Sequence, residues 1–349
     1  MRKKGPTIKD VAARAGVSVM AVSRVCNPSA SGQVSAAMRE RVMEAIDALG
    51  YQPDTVAQSL RRRRSDTVGF YNGYRGMLLL DEEFPRSIFA GLQDEAAELA
   101  QDLLVFNVPE DPRRPAEVVQ ELSTSKVDGV VFLPQEGDEE LARLLGDSHQ
   151  NIVAVGEALP GLPAITAQDT RGARLIAEHL YSRGHRNILF RRSLIDLTSS
   201  RRRYEAFMEA ARELGLKVTS TRTSLRQDDL DDEEKALILS RRQNGITAIA
   251  AWHDYSAVKA IVYCREMGIR IPEDIAIAGF DRLTPLLCPV DVSLTTIEVD
   301  WTQVARRAVV YLVKGRAFAS RPDLGDDIVD TATRFEIAVR SPLFIGNTT

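Results

Sequence analysis

From Thr7 to Val25 the chain reads as two short helices joined by a tight turn, and this stretch limits the fold more than any other. Thr7 is a good N-cap, and Asp10 stands at the third helical position, a short-armed form of the capping box. Gly16 supplies the left-handed backbone that ends the first helix, and Ser18 caps the second. Ala12 and Ala15 are small enough to let the two helices cross closely. The pattern is that of a helix-turn-helix, whose second helix is built to enter the DNA major groove.

The second helix sorts its own residues. At a period of 3.6, Val22 and Val25 share one face and pack inward with Val11 and Val17, while Val19, Met20, Ser23 and Arg24 lie on the other. Arg24 can offer paired donors to a guanine edge, and Ser23 can reach a phosphate or a base. Val19 and Met20 can read only by apolar contact, with thymine methyls as the natural target. A third helix is expected from about Ser35 to Leu49, with Met38, Val42, Ala45, Ile46 and Leu49 on one stripe, Arg39 and Arg41 toward solvent, and Gly50 as its stop. The segment from Asp54 to Leu60, followed by Arg61 to Arg64, is too short to be a stable helix alone and needs a partner to order it. Taken by itself, the Arg run reads more often as a solvated linker.

Residues 7–64 resemble the DNA-binding region of the lactose/purine repressor (LacI/GalR-type) family. The shared pattern is Thr-Ile-x-Asp-Val-Ala, Ala-Gly-Val-Ser, Val-Ser-Arg-Val-x-Asn and Arg-Val-x-x-Ala-Ile-x-x-Leu-Gly-Tyr-x-Pro, several elements at fixed spacing. The resemblance implies that the segment after Pro53 is a hinge helix that folds on the operator, with Leu60 as a minor-groove wedge and Ala57 beside it. The DNA-facing set is then Thr7, Ser18, Val19, Met20, Ser23, Arg24, Asn27, Ala57 and Leu60. The chain has Asp54 where the family usually has Asn, a carboxylate near phosphates.

Charge divides the 349 residues in the same place. Residues 1–64 hold 12 Lys and Arg against 5 Asp and Glu, a net +7, and the remainder holds 33 against 44, a net −11. A basic head on an acidic body fits a nucleic-acid module joined to something that does not bind nucleic acid. Cys26, Cys264 and Cys288 are far apart and lack metal-ligand spacing, so they read as reduced thiols of a cytoplasmic protein. His149, His179, His185 and His253 form no ligand cluster, and no metal or cofactor is expected. No signal-peptide pattern and no run of 18 apolar residues occurs, so no membrane is expected as a partner.

From Thr67 strands and helices alternate. Apolar runs at 68–70, 103–106, 129–132 and 152–155 are separated by helical stretches near 86–100, 113–124 and 138–145. The pattern repeats with strands at 188–190, 246–251 and 275–278 and helices near 170–184, 201–214, 230–243 and 254–267. This is the signature of parallel sheets in two similar lobes, with a ligand site in the cleft at the strands' carboxyl ends. The stretches Gly184-His185-Arg186-Asn187-Ile188, Arg203-Tyr204-Glu205-Ala206-Phe207, Ile271-Pro272-Glu273-Asp274-Ile275 and Gly279-Phe280-Asp281 resemble the same family, and through it the periplasmic sugar-binding proteins. Ala206, Lys259 and Ala305 stand where the family often has Gly. The expected organisation is α/β. A helix-turn-helix head (1–52) of three helices and a hinge (53–65) precede a two-lobed, periplasmic-binding-protein-like domain with parallel sheets (66–349). By the resemblance the chain crosses between lobes near 166, 294 and 323. The N-lobe is then about 66–166 and 295–322, and the C-lobe about 167–293 and 323–345.

Arg203 matches the family's effector-gripping arginine and Asp254 its aspartate; facing each other across a cleft they would suit a polyol, and an interlobe salt bridge is the alternative. Trp252 can stack on a sugar face or serve the core. Asn72, Tyr71 and Tyr74 follow the first strand, and Phe280 and Asp281 end another. No GxSxG, GxxxxGK[ST] or GxGxxG occurs and no catalytic residue can be named. The resemblance implies a repressor rather than an enzyme, binding double-stranded operator DNA as a homodimer or tetramer under control of a small, sugar-like effector. A sugar-modifying enzyme with a DNA-binding head and a plain solute-binding protein are the other readings.

Overall fold

The computed structural model describes residues 5–26, 34–52, 64–74, 83–106, 114–123, 126–148, 150–222, 229–283, 288–331 and 334–349. Asn27, Asp54, Ala57, Leu60 and the hinge expected around them lie outside the described residues. The chain divides into two compact units, Met1–Ser65 and Asp66–Thr349.

The first unit holds α1 (Ile8–Ala15), α2 (Val19–Val25) and α3 (Ala36–Leu49). Asp10 accepts hydrogen bonds from both the backbone N–H and the hydroxyl of Thr7, each at 2.7 Å. Those bonds hold its carboxyl below the usual range. Gly16 takes φ +64° and turns the chain so that Val17 N–H reaches back to the Ala12 carbonyl. Ser18 Oγ then accepts from Ala21 N–H at 3.2 Å and starts α2. Val11, Ala12 and Ala15 of α1, Val22 and Val25 of α2, and Val42 and Ala45 of α3 form the buried core; Val17, Ile46 and Leu49 pack at its edge.

In the second unit the described strands form one sheet of seven and one of six. The first lobe begins with β1 (Thr67–Asn72), α4 (Glu83–Glu98), β2 (Asp102–Phe106), α5 (Pro115–Leu122), β3 (Gly129–Leu133), α6 (Glu139–Asp147), β4 (Ile152–Val155) and β5 (Ala164–Ala167). The second lobe continues with α7 (Asp169–Ser182), β6 (Asn187–Arg192), α8 (Thr198–Glu213), β7 (Lys217–Arg222), α9 (Asp232–Leu239), α10 (Arg241–Asn244), β8 (Ala248–Ala251), α11 (Asp254–Glu266), β9 (Ala276–Asp281) and β10 (Thr295–Glu298). Then come α12 (Trp301–Lys314), α13 (Arg316–Ala319), β11 (Asp327–Asp330), β12 (Phe335–Val339) and β13 (Leu343–Phe344). The sheet orders are β11-β12-β5-β4-β3-β1-β2 and β13-β10-β9-β8-β6-β7. All pairings are parallel except β11 with β12 and β10 with β13. Among the described residues no helix is long and apolar enough to cross a membrane.

Two of the expected crossings move. β5 ends at Ala167 and α7 starts at Asp169, so the first crossing is at Gln168, beside its expected place. β10 pairs with β9, so 295–298 belongs to the second lobe and the chain crosses at Val299 and Asp300. β12 pairs with β5 in the first sheet, whereas β13 pairs with β10 in the second. The third crossing is therefore at 340–342 and not near 323, and 301–339 is wholly N-lobe. The sequence hides this because β11 is exposed along its whole length and carries no apolar run to mark it. Which sheet receives β12 is decided only by its partner. The single helix expected at 230–243 is broken at Ser240, whose hydroxyl donates to the Ala236 carbonyl at 2.6 Å.

Gly91 in α4 lies against α12, where a Cβ would strike the Thr302 carbonyl and come within 2.9 Å of the Ala305 Cβ. Ala305, a methyl where the family often has none, thus faces a helix that gave up its own methyl. Lys259 reaches out to Asp229 at 2.7 Å.

Candidate functional site

Two regions collect the residues singled out by sequence. In the head, α2 turns Val22 and Val25 inward at 0% and 6% exposure and leaves Val19 at 41% and Met20 at 64%. Water gives no reason to expose a valine and a methionine side by side on a seven-residue helix; a partner surface does. Arg24 is exposed on the same side, Ser23 is half-buried, and Thr7 and Ser18 are exposed at the starts of α1 and α2.

In the second unit the cluster centres on Arg203, in the second turn of α8. It is 4% exposed. Its Nε donates to Asp169 Oδ1 at 2.7 Å, its Nη1 donates to the Trp252 carbonyl at 2.9 Å, and its Nη2 lies 3.1 Å from Asp281 Oδ1. The guanidinium stacks on the Phe280 ring, 3.8 Å from its centroid. Burial works against the charge, but Asp281 and Asp169 together hold the guanidinium's pKa above its usual value. Burial likewise pushes the carboxyls of Asp169 and Asp281 up, against the pull of Arg203. Asp281 closes β9 at φ +107°, a conformation that a non-glycine residue seldom adopts and that marks a constrained, often functional, position.

Asp254 makes no hydrogen bond or ion pair with Arg203. It is fully buried at the first turn of α11, where Oδ1 accepts from the Thr296 hydroxyl at 2.7 Å and Oδ2 from Leu283 N–H at 2.8 Å. Both oxygens are spent fastening α11 to β10 and to the segment after β9. Arg203 and Asp254 also belong to the same lobe, so the expected pair across the cleft is replaced by the intralobe set Asp169–Arg203–Asp281. Trp252 lends the cluster its carbonyl, and its half-buried ring stacks on His253 at 3.6 Å. Asn72 is buried at the end of β1, with Oδ1 accepting from Tyr74 N–H at 3.2 Å. Tyr71 packs on Phe132 in the core, and Tyr74 on Phe84.

Sequence reasoning missed the residues that join the lobes. Glu157, just past β4 of the first lobe, accepts from Ser199 N–H at 3.0 Å and from the Ser199 hydroxyl on α8 of the second. Burial pushes its carboxyl up to about 7, partly offset by those two bonds. Glu336 of β12 takes both arms of Arg202, at 2.6 and 3.0 Å, and the Thr166 hydroxyl at 2.8 Å. Tyr255 Oη accepts from Glu83 N–H at 3.3 Å. Glu157 had one available signal, its place directly after a parallel strand; Glu336 had none. At the two later crossings a cavity of about 440 Å³ opens, lined in part by Glu83, Arg282, Glu298, Trp301 and Arg340. The Arg203 cluster lies outside it.

Comparison with known proteins bears on both regions. Residues 7–54 match the model of bacterial regulatory proteins of the lacI family, and residues 177–322 match a periplasmic binding protein-like domain. The chain is 32% identical over 299 residues to the ribose operon repressor of Halalkalibacterium halodurans, covering 84% of this chain and 85% of that one. It is 30% identical over 286 residues to the transcriptional regulator DegA of Bacillus subtilis, covering 79% and 81%. Among solved structures, the lac repressor dimer bound to operator and the anti-inducer ONPF superposes with a TM-score of 0.76 at 24% identity over 99% of both chains. A complex of the regulator CelR with cellobiose superposes with a TM-score of 0.65 at 23% identity over 99% of this chain and all of that one.

Proposed function

The chain belongs to the LacI family of bacterial regulatory proteins, and from that premise we propose that it is a cytoplasmic transcriptional repressor whose grip on operator DNA is set by a small carbohydrate held between its two lobes. The reading is carried by one observation: the apolar, exposed pair Val19 and Met20 beside Arg24 on the outer side of α2, in a head with a net charge of +7. Thr7, Ser18 and Ser23 flank that face, and Asn27, Ala57 and Leu60 extend it by resemblance. A homodimer doubles the helix and so reads a pseudo-palindromic site. A relative named for a ribose operon and a structural neighbour solved with cellobiose support a sugar as effector.

The cleft reading rests on Arg203, Asp281, Asn72 and Trp252, with Glu157 and Ser199 supporting it from opposite lobes. A ligand bound between lobes favours one lobe arrangement, and a change in operator affinity follows only if the two arrangements differ in their affinity for DNA. Selection of duplexes from random DNA by the full chain tests the function. An enriched two-fold-symmetric site, released or tightened by a sugar, is expected; no enrichment over bulk DNA overturns it.

A further inference from the structure

We propose that the interlobe cleft selects its effector by charge, taking a hydroxylated ligand that carries an amine and rejecting phosphorylated and acid sugars. This rests on the reading of the cleft as the effector site. Arg201, Arg202 and Arg203, three consecutive cations at the start of α8, suggest the opposite, an anion site. Each, however, is already spent on a carboxylate. Arg201 meets Asp196 at 3.2 Å, Arg202 is clamped by Glu336, and Arg203 is shared by Asp169 and Asp281. The surroundings are acidic: Glu157, Asp169, Asp254, Asp281 and Glu336 are all buried there, against the three guanidiniums of Arg202, Arg203 and Arg334.

Buried charges are as a rule paired. Glu157 receives only the neutral donors of Ser199, and among the described residues no cation pairs with it. Its carboxyl feels Asp169 as well as Arg203, and burial pushes it up to about 7. Asp281 Oδ1 is also buried, and its ion-pair partner Arg203, 3.1 Å away, is shared with Asp169. A ligand ammonium supplies the missing cation at the lobe seam, and neighbouring hydroxyls supply the donors. A phosphate or carboxylate adds like charge to a site already in excess.

The test uses the full chain, thermal melts and calorimetric titration with matched probes: glucosamine and galactosamine, the parent hexoses, their 6-phosphates and their uronic acids. An amine binding about tenfold or more tightly than its parent, with no binding of the anions, is expected. An anion binding as tightly as its parent, or an amine no tighter than its parent, overturns the inference. A ligand-free arm compares melting temperatures. Glu157→Gln removes the buried charge, so the variant should melt higher than wild type at pH 8 and lose that advantage at pH 5; a lower melting temperature at pH 8 overturns the inference. Operator binding by the wild-type chain is followed in the same buffers. Its loss counts against the regulator reading, whereas lost charge selectivity with operator binding intact counts against this inference alone.

Discussion

Arg203 holds two carboxylates in a buried site, so its removal leaves Asp169 and Asp281 buried, close and unneutralised. Breaking such a set by deleting one partner costs on the order of 3–5 kcal/mol. Arg203→Ala should therefore lower the melting temperature markedly, and adding Asp169→Asn should recover part of the loss; a melting temperature unchanged in the single variant would show that the cluster is solvated. Glu157 acts in the opposite sense. Its folded pKa of about 7 lies above the ordinary 4.5, so its contribution to stability is full below about pH 4.5 and lost as pH rises to about 7. That sign is the reason its Gln variant gains at pH 8. In the head, Arg24 stands exposed on the outer side of α2, and its fork suits a guanine edge. Arg24→Ala should cost about 1–3 kcal/mol of base discrimination. Gel-shift titration on specific and scrambled duplexes measures it, and equal affinity for both in wild type and variant alike would remove Arg24 from the reading face.

At the scale of elements, α4 and α12 pack the first lobe through Gly91 and Ala305. A methyl at Gly91 meets backbone, which cannot swing aside. Overpacking of this kind costs about 1–3 kcal/mol, so Gly91→Ala should lower the melting temperature despite alanine's better helix propensity; a rise would show that the helices are free to separate. The edge helix α9 is fastened differently. Arg191 and Glu234 form a fully buried pair at 3.0 Å, and the Thr221 hydroxyl donates to the same carboxylate at 2.6 Å. Three elements, β6, β7 and α9, thus share one polar knot inside the second lobe.

For the whole molecule, the lobes meet through Arg202–Glu336, Glu157–Ser199 and Glu83–Tyr255, and the chain passes between them at Gln168, at Val299–Asp300 and at 340–342. A ligand between the lobes can influence DNA only through a difference in affinity for two states, and that coupling is reciprocal. If saturating effector changes operator affinity, operator duplex must change effector affinity by the same factor, on the order of 5- to 150-fold. Titrating effector into the chain with and without operator checks this, and identical isotherms would sink the allosteric reading.

The head was legible in the sequence because its determinants are local. Caps, a left-handed glycine and a 3.6-residue stripe act within a few residues of one another, and Thr7, Gly16, Ser18, Val22 and Val25 sit where those rules put them. The alternation of strands and helices was legible for the same reason, since each apolar run announces its own strand. The lobe that receives a strand is not local. β12 joins β5 across 172 residues, as in Ile337 opposite Ile165, and nothing within Phe335–Val339 names its partner. Ion pairing is not local either. Sequence put an arginine and an aspartate at strand-adjacent positions, but the tertiary structure gave Arg203 to Asp169 and Asp281 and gave Asp254 to Thr296 and Leu283. Burial decides which carboxylate needs which donor, and burial exists only once the two sheets have packed.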